Sequence, residues 1–244
     1  MAKQGGLADQ LFIAGVDLSG DVGSLSRIGT SSAPLDVTAI NAAAHERILG
    51  LFDGEIAFDH FFNDATSQEH LTLRAVDAAD RIVCYFHGSA IGNVAAGLVA
   101  KQINYDLTRG ADGSLSGPTQ CLGNAKGLDF CDQLTAGKRT DTTATNGSSR
   151  DNGAASTIGL AAYLQVFAFT GTSVTVALQE SSDDAVGDPF AAVTGGAFTA
   201  ASAVGAQRIV TSLTLAVERY LRVVTTGTFS NAVFAVCATR SPVA

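Results

Sequence analysis

Between Val99 and Thr108 the character of the chain changes at almost every residue. Val99, Ile103, Tyr105 and Leu107 share one face, with Lys101 among them, and Gln102, Asn104, Asp106 and Thr108 share the other. A period of two is the mark of a β-strand with one wet face. The pattern recurs from Glu55 to Phe62, where Ile56, Phe58, His60 and Phe62 alternate with Glu55, Ala57 and Asp59. Gly110-Ala-Asp-Gly113 turns the first strand into a returning one near Leu115–Leu122, a hairpin signal. Strands of this kind dictate a mainly β fold. The composition agrees: 26 glycines for tight turns, no Trp, and only 16% charged residues.

At 244 residues the chain allows one large or two ordinary domains, and a core can be built without disulfides or metals. One polar, glycine-bearing break, Thr140 to Ser156, divides it. We expect a first domain over 1–143, a linker over 144–153 and a second domain over 154–244. In the first domain Asp17–Arg27 reads as an extended, turn-rich loop. Thr66 and Glu69 form a capping box that predicts a helix running toward Ala79. In the second, short runs at Leu160–Phe169, Ser173–Glu180, Gln207–Ser212, Glu218–Thr225 and Asn231–Thr239 suggest a β-sandwich, with Gly195-Gly196 as a turn. The linker implies that the second domain is dispensable to the first.

The net charge of −8 gives no basic footprint for gripping nucleic acid. The acidity is uneven: 1–143 carries −7 and 144–244 only −1. No opening apolar segment resembles a secretory signal, and the longest apolar run, Ile158 to Phe169, is too short for a membrane span. Cytoplasmic synthesis and four reduced thiols (Cys84, Cys121, Cys131, Cys237) are the expectation.

Enzymatic readings find little to stand on. Gly15–Gly23 bears glycines but lacks the Lys and the strand–helix setting of a phosphate loop. Cys121 and Cys131 lie ten positions apart, without a second pair at zinc spacing. The histidines form no H-x-x-x-H set, and His60, on the apolar side of its strand, reads as a core or interface residue. Asp183-Asp184 sits in a turn where Asp caps backbone groups. We therefore expect no catalytic residue, no metal site and no cofactor.

Longer strings carry more. DLSGDVGSLSRIG (17–29), LDVTAI (35–40), AHERILGLFDGEIAFDHFFN (44–63), DRIVCYFHG (80–88) and AKQINYDLTRGADGSL (100–115) occur in this order. Together they resemble the tail tube (major tail) proteins of long-tailed bacteriophages, especially siphophages infecting actinobacteria. LQVFAFTG (164–171), LQESSDDA (178–185) and ERYLRVVTTG (218–227) are similar to the outer domain many of those carry. Phe52 departs from the pattern, which favours a polar or basic residue there. The resemblance implies a β-sandwich or barrel-like tube domain with one flanking helix, plus a C-terminal β-sandwich. It implies hexameric rings stacked into a virion tail tube that conducts double-stranded DNA without reading it. The partners implied are further copies, a tape measure protein and other tail proteins, with no membrane.

Six subunits giving about four strands each would close a barrel on the order of 45–50 Å across. An acidic wall would let DNA slide where a basic one would hold it. Gln102, Asn104, Asp106 and Thr108 are the first candidates for the channel wall, with Glu55 and Asp59 second. The segment from Asp17 to Ile40, including Leu18, Ser19, Asp21 and Arg27, is the candidate loop to the adjacent ring. A carbohydrate- or cell-surface-binding module and a capsid decoration protein are the alternatives.

Overall fold

The computed structural model describes residues 5–242, and the chain is mainly β. Its strands are β1 (Gln10–Ile13), β2 (Val16–Asp17), β3 (Val22–Asp36), β4 (Arg47–Phe61), β5 (Arg81–Phe86), β6 (Val94–Gln102), β7 (Thr108–Arg109) and β8 (Leu115–Gly123). They continue with β9 (Asp129–Gln133), β10 (Arg139–Asp141), β11 (Asn146–Asp151), β12 (Ala161–Ser181), β13 (Ala191–Ala197), β14 (Gly205–Val210) and β15 (Tyr220–Thr239). One short helix, α1 (Glu69–Leu73), follows β4. All strands join one antiparallel network ordered β13-β12-β15-β9-β6-β5-β1-β2, with β8, β4 and β3 branching from β6. Among the described residues no helix is long and apolar enough to cross a membrane.

The network folds over itself into layers. On one side of β1, β5 and β6, Leu11, Ile13, Val83 and Leu98 pack against Ile56 and Phe58 of β4. On the other side Phe12, Cys84, Phe86 and Ala95 pack against Tyr163 of β12 and Cys237 of β15. The central strands are thus buried on both faces, which is why AAGLVA (95–100) does not alternate. Gly97 makes the second contact possible, since a Cβ there would stand 2.4 Å from the Tyr163 ring. The outer faces of β12 and β15 close a third core. Leu164 and Val166 from the first half of β12 meet Val176 and Leu178 from its second half. The long hairpin therefore bends on itself, and its register breaks between Val166 and Ser173 mark the bend.

Several expectations change. The alternating strand ends at Gln102, not Thr108, and starts at Val94. Residues 103–107 leave the sheet, because Asn104 closes the ladder with its side chain: Gln120 N–H donates to Asn104 Oδ1 at 2.8 Å. The helix has five residues and its N-cap, Gln68, makes no side-chain cap bond, so the capping box does not form. Val22–Asp36 is a strand rather than a loop. Ala191–Ala197 is a strand running through the expected Gly195-Gly196 turn, where Gly195 takes φ +74°. The four runs expected at 160–180 and 218–239 merge into two long strands. The polar stretch 144–153 contains β11, paired to β15.

Candidate assembly surface

β3 and β4 are 15 residues each, and β4 meets β8 only from Glu55 to Phe61. From Thr30–Gly54 out to Asp36–Arg47 the two strands pair only with each other. This outer half is a two-stranded arm about 20 Å long at roughly 3.3 Å per residue, tipped by residues 37–46. An isolated hairpin is marginal in water. This one also exposes large apolar side chains, with Leu51 92% and Leu49 68% exposed, beside Phe52, Ile48, Leu35 and Ile40. No core faces either side of the arm, so no alternation is imposed on its sequence, and SSAPLD (31–36) reads like a loop. The far edge of β3 pairs with no strand among the described residues.

The five loop candidates mostly sit in the body, not in the arm. Leu18 is fully buried in the core. Asp17 accepts hydrogen bonds from Ser19 N–H and Oγ–H and pairs with Lys138. That contact holds its carboxyl below the usual range against the opposing effect of burial. Ser19 Oγ accepts from Leu11 N–H at 3.1 Å. Asp21 accepts from Asn63 Nδ2 at 2.8 Å and Glu69 N–H at 3.1 Å. Arg27 lies on the outward face of β3 and pairs with Glu55 at 2.8 Å.

Of the wall candidates, the structure gathers five around β8. Glu55 and Asp59 point away from the core on β4, while Ile56, Phe58 and His60 point in, as the alternation requires. Glu55 accepts from Gln120 Nε2 at 3.2 Å and Asp59 accepts from Ser24 Oγ at 2.7 Å. Asn104 donates to Asp106 Oδ2 at 2.8 Å and to the Pro118 carbonyl at 3.2 Å. Thr108 is exposed on β7, opposite Ser116. Gln102 does not join them: it is only 3% exposed, and its Nε2 donates to the carbonyls of Leu73 and Asn104.

Sequence reasoning passed over a buried polar cluster at the base of β4. His60 Nδ1 and Glu69 Oε1 are 2.8 Å apart, both side chains fully buried, although not aligned as a hydrogen bond. The Tyr105 ring stacks on His60 at 5.2 Å, and its hydroxyl lies 2.8 Å from His70 Nδ1. Burial lowers the His60 pKa, against the pull of Asp59 and Asp21, and raises that of Glu69. His60 carries a signal in its alternation and Glu69 as half of a capping box, but nothing in the sequence joins the two. All four cysteines are buried free thiols, and burial pushes Cys121 up to about 12. Among the described residues no group of three or more His, Cys, Asp or Glu is arranged to hold a metal ion.

No protein-family model and no curated protein matches the chain. Among solved structures it is similar to a chain of the virion of a native gene transfer agent particle, at 17% identity and TM-score 0.40, over 52% of this chain and 98% of that one. It is similar to a chain of the tail of an empty gene transfer agent particle of C6 symmetry, at 17% identity and TM-score 0.39, over 53% and 98%. It is also similar to the SPP1 Dit protein, described as a hub of the adsorption apparatus in phages infecting Gram-positive bacteria. That likeness has 12% identity and TM-score 0.34, over 95% and 99%. All three likenesses are distant.

Proposed function

We propose that this protein is a structural subunit of a phage tail, assembling into hexameric rings that stack into a tube for DNA, and that it is not an enzyme. The observation that carries the reading is the arm. A half-paired hairpin with exposed leucines, beside an unpaired 15-residue strand edge, is costly to leave in water and needs neighbours to complete it. In this reading the free edge of β3 pairs within a ring and the arm reaches the adjacent ring. The ordered strings of the first half support the class of protein. The outward face of β3, β4 and β8, with Glu55 and Asp59, and with Asn104 and Asp106 at its margin, lines the channel. Its charge is acidic to neutral, because Arg27 offsets Glu55, so DNA is not held.

The alternative of a carbohydrate-binding groove needs exposed aromatic rings on the C-terminal half. Tyr163, Phe198 and Phe234 are buried there, and Phe167, Phe169 and Phe229 pack on the cores. Phe190 and Tyr220 lie under the guanidiniums of Arg222 and Arg219 at 4.1 and 4.9 Å. Electron microscopy of the purified protein tests the tube. Wild type should give hollow tubes or rings, and Leu49→Asp/Leu51→Asp should give folded, unassembled subunits. Single particles from wild type at every concentration and salt would refute the reading.

A further inference from the structure

An isolated helix needs about 12–15 residues to hold in water, and α1 has five. Tertiary bonds keep it closed against β4 and β6. Glu69 N–H donates to Asp21 Oδ2 at 3.1 Å, Gln102 Nε2 to the Leu73 carbonyl, and Arg81 to the Thr72 carbonyl. The deepest polar contact is between side chains. Glu69 and His60 are both at 0% exposure, with Oε1 2.8 Å from Nδ1. Glu69 Oε2 accepts from Asn63 N–H at 3.3 Å, but Oε1 and both ring nitrogens of His60 lack an aligned partner. The titratable groups facing the pair are Asp21 from the turn before β3, Asp59 from β4, His70 from α1 and Tyr105 from 103–107. β8 brings Gly117 opposite His60, and β6 the uncharged Gln102. Burial is the first cause of both shifts, down for His60 and up for Glu69, so each outlasts the removal of its neighbour.

We propose that His60 and Glu69 form a one-proton latch: together they hold a single proton through mildly acidic conditions, and that count keeps α1 closed. The latch does not depend on the tube reading, which stands or falls separately. With one proton the pair is neutral, as protonated Glu69 beside neutral His60, the form that burial favours for each. Removing the proton leaves a buried carboxylate, and adding a second leaves a buried imidazolium. Either charge is relieved when α1 lets go and water enters. The Tyr105 hydroxyl gives the proton a route from the surface. It hydrogen-bonds Glu69 and lies 2.8 Å from Nδ1 of half-buried His70, while its ring stacks on His60 at 5.2 Å. In the released corner Glu69 titrates at its ordinary 4.5 and His60 at its ordinary 6.5. Between those values the released corner also holds one proton, now on His60. Release then neither takes up nor gives off a proton, and the latch is indifferent to pH across the window.

Hydrogen exchange followed by NMR in the free subunit tests the latch. The amides to watch are those of His70, Thr72 and Arg74, which donate to the carbonyls of Asn63, Gln68 and His70. In wild type their protection, corrected for intrinsic exchange, should stay level between about pH 6.5 and 4.5. Glu69→Gln leaves the lowered His60 alone, so release takes up a proton and protection should fall with falling pH, by up to about tenfold per pH unit. His60→Gln leaves the raised Glu69 alone, so release gives off a proton and protection should rise over the same range with the same limiting slope. Two variants that slope the same way, or a wild type that follows either of them, would overturn the latch. The wild-type His60 ring gives a second readout that needs no variant to fold. Its carbon–proton signals should keep the position of the neutral imidazole down to about pH 4.5, and a ring that charges near its ordinary value would overturn the latch as well.

Discussion

Asp129 shows how much can hang on a single side chain. It is fully buried where β9 passes beneath β12, and Tyr163 donates its hydroxyl to Asp129 Oδ2 at 2.5 Å. Arg208 on β14 reaches the same oxygen at 3.1 Å and the tyrosine oxygen at 2.9 Å. Tyr163→Phe keeps the ring and removes one donor from a buried acid, which costs about 1–3 kcal/mol. For a chain this size each kcal/mol is about 2–4 °C of Tm, and calorimetry should find the drop. The His60–Glu69 pair sets a pH dependence. His60 is lowered, so its part of the stability is present above its ordinary value and lost as pH falls. Glu69 is raised, so its part is present below its ordinary value and lost as pH rises through the folded one. The two oppose each other between about pH 4.5 and 6.5. Below that window the unfolded chain carries a proton on each group where the folded pair resists the second. His60→Gln should flatten this acid limb of a Tm-against-pH curve, and an unchanged limb would assign the loss to other carboxylates. The inward placing of His60 was legible from its alternation with Asp59. Its partner was not, since Glu69 reaches it only through tertiary packing.

Among the elements, the arm has the sharpest consequence. Its amides are bonded only across one hairpin, so in the free subunit residues 31–53 should exchange with deuterium well before β12 and β15. In assembled tubes the same peptides should become protected, and fast exchange persisting there would mean the arm contacts nothing. Legibility at this scale followed burial. Where one face is wet, as at Glu55–Phe61, period two survives and the strand and its inward face were readable. Where both faces are buried, the pattern merges into a plain apolar run: at 161–166 only the existence of a strand could be seen, and at 95–98 the strand was missed, since the expected one began at Val99. Where neither face is buried, as in the arm, the residues look like a loop. The failed helix is a fourth case: Thr66 and Glu69 have the right spacing, but Glu69 is drawn into the core toward His60.

For the whole molecule, the central strands bind the two halves into one body. We keep the proposed division of labour between 1–143 and 154–244, with tube-building residues in the first part, but not the expectation that the second part can be removed. β15 pairs with β9, β10 and β11, and Gln165 accepts from Gly15 N–H at 2.6 Å and donates to the Ile82 carbonyl at 2.9 Å. Truncation after Thr143 would bare Phe12, Cys84, Phe86 and Ala95 and strip Asp129 of both polar partners on β12 and β14. We expect an insoluble or molten fragment, and a cooperative melt from it would show that the halves fold separately. The same arrangement sets an order of events at the ribosome. The strands that need covering are made first, and the strands that cover them last. At ordinary synthesis rates of about 5–20 residues per second, residues 144–244 take roughly 5–20 s. For that interval the nascent chain carries a greasy, half-made sheet, which makes it a natural client for chaperones.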